Sequence, residues 1–267
     1  MNIRIGLFDS GVGGFTVLKK ILQFYPQFPC VYLADTARLP YGNRSQKEIR
    51  EIADEVLVWL LGQDLSAIIV ACNTTNSLAL DILGNKTTIP VLGLIQAAAS
   101  MVREKRVGVL ATAATVRSKS YTREILRVRP DAFVLEQACP LFVPMVEMEE
   151  IDSDQLRKIA FDYLTPLLDA RVESIVLGCS HYPLLEPLLR EILPSNVRLI
   201  DPSIGLLNNL EFLIGSKIPS IQPGISIGNT SFFVTSDPSD FALKTRHWLG
   251  EYPEVNLVSL RSKACIF

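Results

Sequence analysis

Two stretches of the sequence share one design: a short apolar run, a small residue, a cysteine, two polar residues and then a helix-like pattern. The first, SAIIVACNTTNSLALDIL, runs from Ser66 to Leu83, and the second, ESIVLGCSHYPLLEPLL, runs from Glu173 to Leu189. Their cysteines, Cys72 and Cys179, lie 107 positions apart. A chain that places a cysteine twice where a strand meets a helix must build two similar strand–helix units.

Short β-branched runs alternate with helix-length amphipathic segments along most of the chain. The predicted strands are Ile3–Phe8, Val31–Leu33, Ala67–Val70, Val91–Ile95, Val107–Leu110, Phe133–Leu135, Ser174–Leu177 and Val197–Ile200. Apolar residues at helical spacing predict helices over Lys47–Leu61 and Asp154–Leu168, the second ended or kinked by Pro166. Such alternation indicates parallel sheets with helices on both faces.

An internal repeat indicates that there are two such sheets. The segments RIGLFDS and VYLAD match RVGVLAT and FVLEQ at an offset of 102, and VLGLI aligns with VRLID at 106. The two strand-to-helix junctions around Cys72 and Cys179, here called the cysteine corners, align at 107. Four segments in one order predict an α/β fold of two pseudo-symmetric, doubly wound parallel-sheet domains, with the active site in the cleft between them. We expect residues 1–96 plus 205–267 in the first domain, because the tail would pack back on it, and residues 97–204 in the second.

Composition excludes several classes of protein. With 48% hydrophobic residues, a net charge of −2 and a pI near 5.8, the chain resembles a globular protein, and neither nucleic acid nor a membrane is an expected partner. No apolar run reaches the roughly 18 residues of a membrane span. The five cysteines are scattered, without a C-x-x-C pair, so we expect free thiols in the cytoplasm. With two histidines in the chain, no metal site is predicted.

Polar residues follow the predicted strands at their carboxyl ends, where parallel sheets bind ligands. They are Asp9, Ser10, Cys72, Asn73, Thr74, Thr112, Cys179, Ser180 and His181. If the two sheets face each other, Cys72 and Cys179 approach one ligand from opposite sides. One thiolate can then remove a proton from a carbon acid while the other thiol returns one to the opposite face, which inverts the stereocentre.

A thiol of ordinary pKa is only about 3% ionised at pH 7. Both cysteines are predicted at helix N-termini, which favour the thiolate. Interpretations without a catalytic function stay open at this point. A lone buried thiol is usually a small core residue. His181 could be a structural histidine, and Asp9 could be a helix cap and nothing more. The run DSGVGG, Asp9–Gly14, is a weak phosphate-loop candidate but a good turn for binding a carboxylate.

Four motifs together resemble those of bacterial glutamate racemases, members of the cofactor-independent aspartate/glutamate racemase family. They are GLFDSGVGGFTVL, LADTARLPYGNRS, VACNTTNS and VLGCSHYPLL. The resemblance extends from Ile5 to about Asp237 and implies interconversion of L- and D-glutamate without a metal or cofactor, supplying D-glutamate for peptidoglycan. It also implies a homodimer.

The resemblance further implies roles for individual residues. Cys72 and Cys179 would be the catalytic thiols, Asp9 and His181 would assist them, and Glu147 would pair with the histidine. The substrate would be bound by Asp9, Ser10, Tyr41, Gly42, Asn73, Thr74, Thr112, Thr115, Ser180 and His181.

The chain departs from the family pattern at three places. Ser180 stands where threonine is more common, Gln96-Ala97 replaces a Glu-Pro or Glu-Ala pair, and Ala111–Ala114 brings alanines to positions where glycines are usual. Two alternative functions remain on sequence grounds: a racemase for another acidic amino acid such as aspartate, and a glutamate-binding regulatory protein without turnover.

Overall fold

The computed structural model of the protein describes residues 3–215 and 226–260. Its strands are β1 (Ile5–Asp9), β2 (Cys30–Ala34), β3 (Ala67–Val70), β4 (Val91–Gly93), β5 (Arg106–Ala111), β6 (Phe133–Ala138), β7 (Ser174–Gly178), β8 (Arg198–Ile200), β9 (Thr230–Val234) and β10 (Val255–Leu257). Its α-helices are α1 (Phe15–Phe24), α2 (Gln46–Leu61), α3 (Asn73–Asn85), α4 (Leu94–Met101), α5 (Ala113–Ser118), α6 (Ser120–Val128), α7 (Phe142–Glu147), α8 (Asp154–Asp169), α9 (Glu186–Ile192), α10 (Pro202–Ile214) and α11 (Pro238–Leu249).

The strands form two parallel sheets with the same winding. The first has the order β10-β9-β2-β1-β3-β4 and the second has the order β6-β5-β7-β8. Thus β2-β1-β3-β4 corresponds to β6-β5-β7-β8, strand for strand, in the order that the sequence offsets predicted. The predicted repeat and the α/β class are therefore confirmed, and corresponding strands end at corresponding places.

Burial explains why the central strands are almost wholly apolar. Every residue of β1, β3 and β7 is buried, because helices cover both faces of each sheet. Polar side chains are accommodated where the strands end and the loops begin. Helix α2 shows the usual start signal, since the Ser45 hydroxyl accepts the Glu48 N–H while the Glu48 carboxylate accepts the Ser45 N–H.

Two predicted elements differ from the structure. Strand β4 ends at Gly93 instead of Ile95, because α4 begins at Leu94, whose N–H donates to Asn76 Oδ1 at 2.7 Å. Pro166 does not end α8, which continues to Asp169. It lies in the last turn, where the loss of one backbone hydrogen bond removes little helix, and its carbonyl still accepts the Ala170 N–H at 3.1 Å.

Helices α4 and α10 join the two sheets. Leu94 and Ala97 of α4 belong to the core of the first sheet, whereas Ile95 and Ala98 belong to a core cluster of the second. The helices touch at Gly205 of α10, where a Cβ atom would lie 2.5 Å from the Ala97 carbonyl oxygen. The predicted domain boundaries at 96/97 and 204/205 fall within these two helices, and the division of the chain there stays a prediction.

The tail returns to the first sheet, as predicted. Strand β9 pairs in parallel with β2, α11 packs against α1, and β10 extends the sheet at its edge. Across the described residues, none of the helices combines the length and apolar character needed to cross a bilayer. Cys265 lies outside the described residues.

Candidate active site

A cavity lies where β3 of the first sheet and β7 of the second end, and both thiols line it. Ten of the predicted site residues line this cavity: Ser10, Tyr41, Gly42, Cys72, Asn73, Thr74, Thr112, Cys179, Ser180 and His181. The other three, Asp9, Glu147 and Thr115, lie behind this lining and bind its members. The carboxyl ends of corresponding strands therefore bring the two cysteine corners together.

Cys72 is the N-cap residue of α3 and is almost fully buried. The sequence predicted that the helix N-terminus would favour its thiolate. The effect of burial is larger than that of the helix N-terminus. Together with the nearby Asp9 carboxylate, burial raises the pKa of the Cys72 thiol to about 12, although the donors of Thr75 act to lower it. Burial and Asp9 thus favour the protonated thiol at Cys72.

Cys179 does not stand at the start of an α-helix, contrary to the prediction. A 3₁₀ turn, Tyr182–Leu185, follows it, and α9 begins only at Glu186. Pro183 lacks the N–H that an α-helical bond to the Cys179 carbonyl would need, and the Tyr182 N–H bonds that carbonyl instead, at 3.0 Å. The partner of Cys179 is a side chain, not a helix terminus.

That partner is His181. Its Nδ1 lies 3.9 Å from Cys179 Sγ, and its Nε2 lies 2.8 Å from Glu147 Oε1. Burial opposes the imidazolium, but the hydrogen bonds and charges of Cys179 and Glu147 outweigh it and raise the pKa of His181 well above its ordinary value. Burial likewise opposes the carboxylate of Glu147, yet His181 and Lys244 lower its pKa to about 2. The imidazole of His181 thus lies between the Cys179 thiol and the Glu147 carboxylate, and the two partners together favour its protonated form.

Asp9 shapes the loop between β1 and α1. Its carboxylate accepts the backbone N–H groups of Ser10, at 2.8 Å, and of Gly14, and the Ser180 hydroxyl at 3.2 Å. Burial raises the pKa of Asp9 despite these donors and the charge of His181. The N-cap of α1 is Gly14, so Asp9 is not the capping residue itself. It instead joins the first loop to the corner of Cys179.

Hydroxyl groups connect the two sheets beside the thiols. Thr74 Oγ1, at the start of α3, lies 3.0 Å from Thr112 Oγ1, at the end of β5, and Thr112 Oγ1 lies 3.1 Å from Thr115 Oγ1. Tyr41 lies in the loop after β2 and is held there by a hydrogen bond from its hydroxyl to Asp35. These groups leave polar atoms of both sheets facing one cavity.

Asn73 has a free donor at this site. Its Oδ1 accepts the Tyr121 hydroxyl at 2.6 Å, whereas Nδ2 is buried without a hydrogen-bond partner among the described residues. A buried donor in this state is suited to an anionic ligand. Across the described residues, there is no group of three or more His, Cys, Asp or Glu side chains arranged to hold a metal ion.

Sequence reasoning missed part of the lining. Cys139, Pro140, Val143 and Pro144 come from the end of β6 and the start of α7 and form an apolar wall of the cavity. The Cys139 carbonyl also accepts the Tyr182 hydroxyl at 3.0 Å. The internal repeat could have predicted this wall, because Cys139 directly follows the end of a strand, as the other site residues do.

Comparison with known proteins agrees with this geometry. The family model described as Asp/Glu/Hydantoin racemase matches residues 10–205. A glutamate racemase of Prochlorococcus marinus (strain NATL1A) is 52% identical over 264 residues, which is 99% of this chain and 100% of the relative. One from Synechococcus sp. (strain CC9605) is 51% identical over 95% of this chain and 96% of the relative.

Solved structures show the same similarity. The glutamate racemase of Francisella tularensis in complex with D-glutamate has a TM-score of 0.87 and 34% identity, covering 98% of this chain and 99% of that one. The aspartate racemase of Picrophilus torridus covers 81% of this chain and 96% of that one, with a TM-score of 0.57 and 18% identity, which shows the fold alone.

Proposed function

The chain belongs to the Asp/Glu/Hydantoin racemase family, and on that premise we propose that it is a glutamate racemase, an isomerase that interconverts L- and D-glutamate. The observation that carries the proposal is the pair of thiols, Cys72 and Cys179, at matching strand ends of two similarly wound sheets, lining one cavity. The identity of the substrate is inferred from relatives named glutamate racemase, which match nearly the whole chain.

The chemistry is a transfer of two protons at the α-carbon. In one direction the thiolate of Cys179, next to the His181 imidazolium, takes the α-proton, and the thiol of Cys72 donates its proton to the opposite face. In the other direction Cys72 is the base and Cys179 the acid. Each turnover thus leaves one thiol protonated and one ionised, with their roles exchanged, and exchange with solvent protons resets them.

The surrounding groups hold the substrate and stabilise its charges. Asn73 Nδ2 and the hydroxyl groups of Ser10, Thr74, Thr112 and Ser180 offer donors to the two carboxylates of glutamate. The burial of the site strengthens these hydrogen bonds and excludes water from the carbanion-like transition state. Asp9 and Glu147 lie behind the lining and orient the groups that touch the ligand.

The two alternative functions receive less support. The relatives named above, at 51–52% identity, are glutamate racemases, whereas the likeness to the aspartate racemase of Picrophilus torridus shows the fold alone. A binding protein without turnover would have no use for both thiols and for the paired His181.

Supply of D-glutamate for peptidoglycan follows from this activity. A homodimer and a cytoplasmic location stay predictions, the latter supported by the free state of Cys30, Cys72, Cys139 and Cys179.

The test is incubation of the purified protein with L-glutamate in D₂O, without added cofactor. We expect D-glutamate that carries one deuterium at the α-carbon, measured by chiral separation and mass spectrometry. The same experiment with L-aspartate is the control for substrate class. Unlabelled L-glutamate recovered from a folded sample would contradict the proposal.

A further inference from the structure

Thr75 has a buried hydroxyl that no part of the mechanism above uses. It lies in the first turn of α3, three residues after Cys72, and only 1% of its surface is exposed. Its Oγ1 has no hydrogen-bond partner among the described residues. A buried polar atom without a partner costs free energy, so this hydroxyl beside a catalytic thiol calls for an explanation.

We propose that the Thr75 hydroxyl is a hydrogen-bond donor to the Cys72 thiolate, and that it acts when this thiolate forms during proton transfer. The inference rests on the proposed racemase function. Thr75 is the N3 residue of a helix whose N-cap is Cys72, and N3 is the position whose N–H an N-cap side chain usually reaches. Both the N–H and the hydroxyl of Thr75 are near enough to the Cys72 sulfur to favour its thiolate, although the thiol accepts no capping hydrogen bond in this structure and Thr75 Oγ1 is left unpartnered.

The surroundings of Cys72 explain why such a donor is needed. Burial and the Asp9 carboxylate disfavour its thiolate most strongly, and negative charge on Cys179 adds to them, whereas the two donors of Thr75 favour it. The phenols of Tyr32 and Tyr41 also interact electrostatically with Cys72, but their hydroxyl groups bond the Gly11 carbonyl and Asp35 respectively.

The two cysteine corners thus stabilise a thiolate by different means. Cys179 has a cation, the His181 imidazolium, two residues further along the chain. At the corresponding place after Cys72 the chain has Thr74, whose hydroxyl bonds Thr112, and then Thr75. A neutral donor stabilises a thiolate less than a cation does, so Cys72 remains a thiol until substrate is bound.

Three variants separate this function from a structural one. Thr75→Val removes the hydroxyl at nearly constant volume, Thr75→Ser keeps it, and Thr245→Val is the control. Thr245 is a fully buried helical threonine of α11 whose hydroxyl bonds the Phe241 carbonyl. We expect Thr75→Val to lower kcat/KM by roughly 10- to 100-fold, the usual effect of a lost hydrogen bond to a charged group. Thr75→Ser should recover most of the activity, and Thr245→Val should remain within a few-fold of wild type.

Deuterium isotope effects on kcat/KM in the two directions distinguish a defect in proton transfer at Cys72 from a structural defect, which would leave them unchanged. The two enantiomers are equally stable, so a variant must lower kcat/KM equally in both directions. With α-deuterated substrates, however, a slower transfer at Cys72 raises the isotope effect for the enantiomer that Cys72 deprotonates. It lowers the isotope effect for the enantiomer that Cys179 deprotonates, because the labelled step is then no longer limiting.

We expect this opposite change in Thr75→Val only, together with a shift of the rising limb of its pH profile to higher pH. Two results would overturn the inference: full activity in folded Thr75→Val, or lower activity with both isotope effects and the pH profile unchanged. Wild-type protein is assayed in parallel. If it does not racemise glutamate, the proposed function fails first, and that failure is distinct from failure of the inference.

Discussion

Glu147 lies behind His181 with its Oε1 atom 2.8 Å from the Nε2 atom of the imidazole. Glu147 comes from α7, and His181 follows the corner of Cys179, so two elements of the second sheet's layer meet at this contact. The other carboxylate oxygen of Glu147 lies 3.2 Å from Lys244 Nζ in α11, which belongs to the layer of the first sheet. The carboxylate that supports the imidazolium is therefore also held by the tail of the chain.

Replacing Glu147 with Gln should change the pH dependence of catalysis. The carboxylate helps to hold the pKa of His181 well above its ordinary value, and its loss lowers that pKa. The imidazolium then deprotonates at lower pH, so the alkaline limb of the kcat/KM profile should move to lower pH and the maximum should fall by roughly tenfold or more. Glu149→Gln is the control, since Glu149 pairs with His247 at the surface. An unchanged limb would contradict the assigned function of Glu147.

The same substitution should alter stability in acid. The pKa of Glu147 is about 2 in the folded protein, below its ordinary 4.5. A lowered carboxylate pKa stabilises the fold above the unfolded pKa, and this stabilisation is lost as the pH falls through the folded pKa. The unfolding free energy of Glu147→Gln should therefore be lower than that of wild type by roughly 3 kcal/mol above pH 4.5. Urea denaturation between pH 7 and pH 2 should show this gap closing, and a constant gap would be the contrary result.

Each catalytic thiol should be essential. Cys72→Ser and Cys179→Ser should each abolish racemisation, because both directions use both faces of the α-carbon. Cys30→Ala, in the core of the first sheet, should stay within a few-fold of wild type. The same is expected of Cys139→Ala and of Cys265→Ala. Cys139 lines the cavity, but burial raises the pKa of its thiol well above the usual range. Chiral assays of folded variants check these outcomes, and turnover by either serine variant would refute the two-thiol mechanism.

Gly13 should tolerate no side chain. A Cβ atom there would lie 2.5 Å from Ser180 Oγ and would also clash with His181 Nδ1. Gly13→Ala should therefore displace His181, lower kcat/KM by tenfold or more and destabilise the protein by about 1–3 kcal/mol. Gly84→Ala is a matched control within α3, where a Cβ atom would meet no heavy atom within 4 Å. It should keep activity and stabilise the fold by about 0.5–1 kcal/mol. Thermal melts and rate assays distinguish the two, and an active Gly13→Ala would count against this placement of His181.

Much of the fold could be predicted because the strands are buried on both faces. Their apolar runs and the offset between them predicted the winding of both sheets and the meeting of Cys72 with Cys179. The boundaries differ from prediction where tertiary contacts decide them: β4 stops at Gly93 because Asn76, from α3, accepts the Leu94 N–H. Such a contact cannot be read from the local sequence.

The electrostatics of the site was the least predictable part. A cysteine before a helix predicted a stabilised thiolate, but burial beside Asp9 reverses that expectation for Cys72. Glu147 was expected only through resemblance, because no pattern in the chain connects α7 with a histidine 34 residues later. The pKa of a buried group depends on charges that arrive from distant segments, and the spacing of motifs does not contain them.

Helix α4 has a consequence for how the chain unfolds. One of its faces belongs to the core of the first sheet and the other to a core of the second, and α10 touches it at Gly205. If either sheet lost its packing, the apolar side chains of α4 would become exposed, and the other sheet would lose part of its own core. We therefore expect the two sheets to unfold as one cooperative unit, with the slow hydrogen exchange of β3 and of β7 reporting the same global opening.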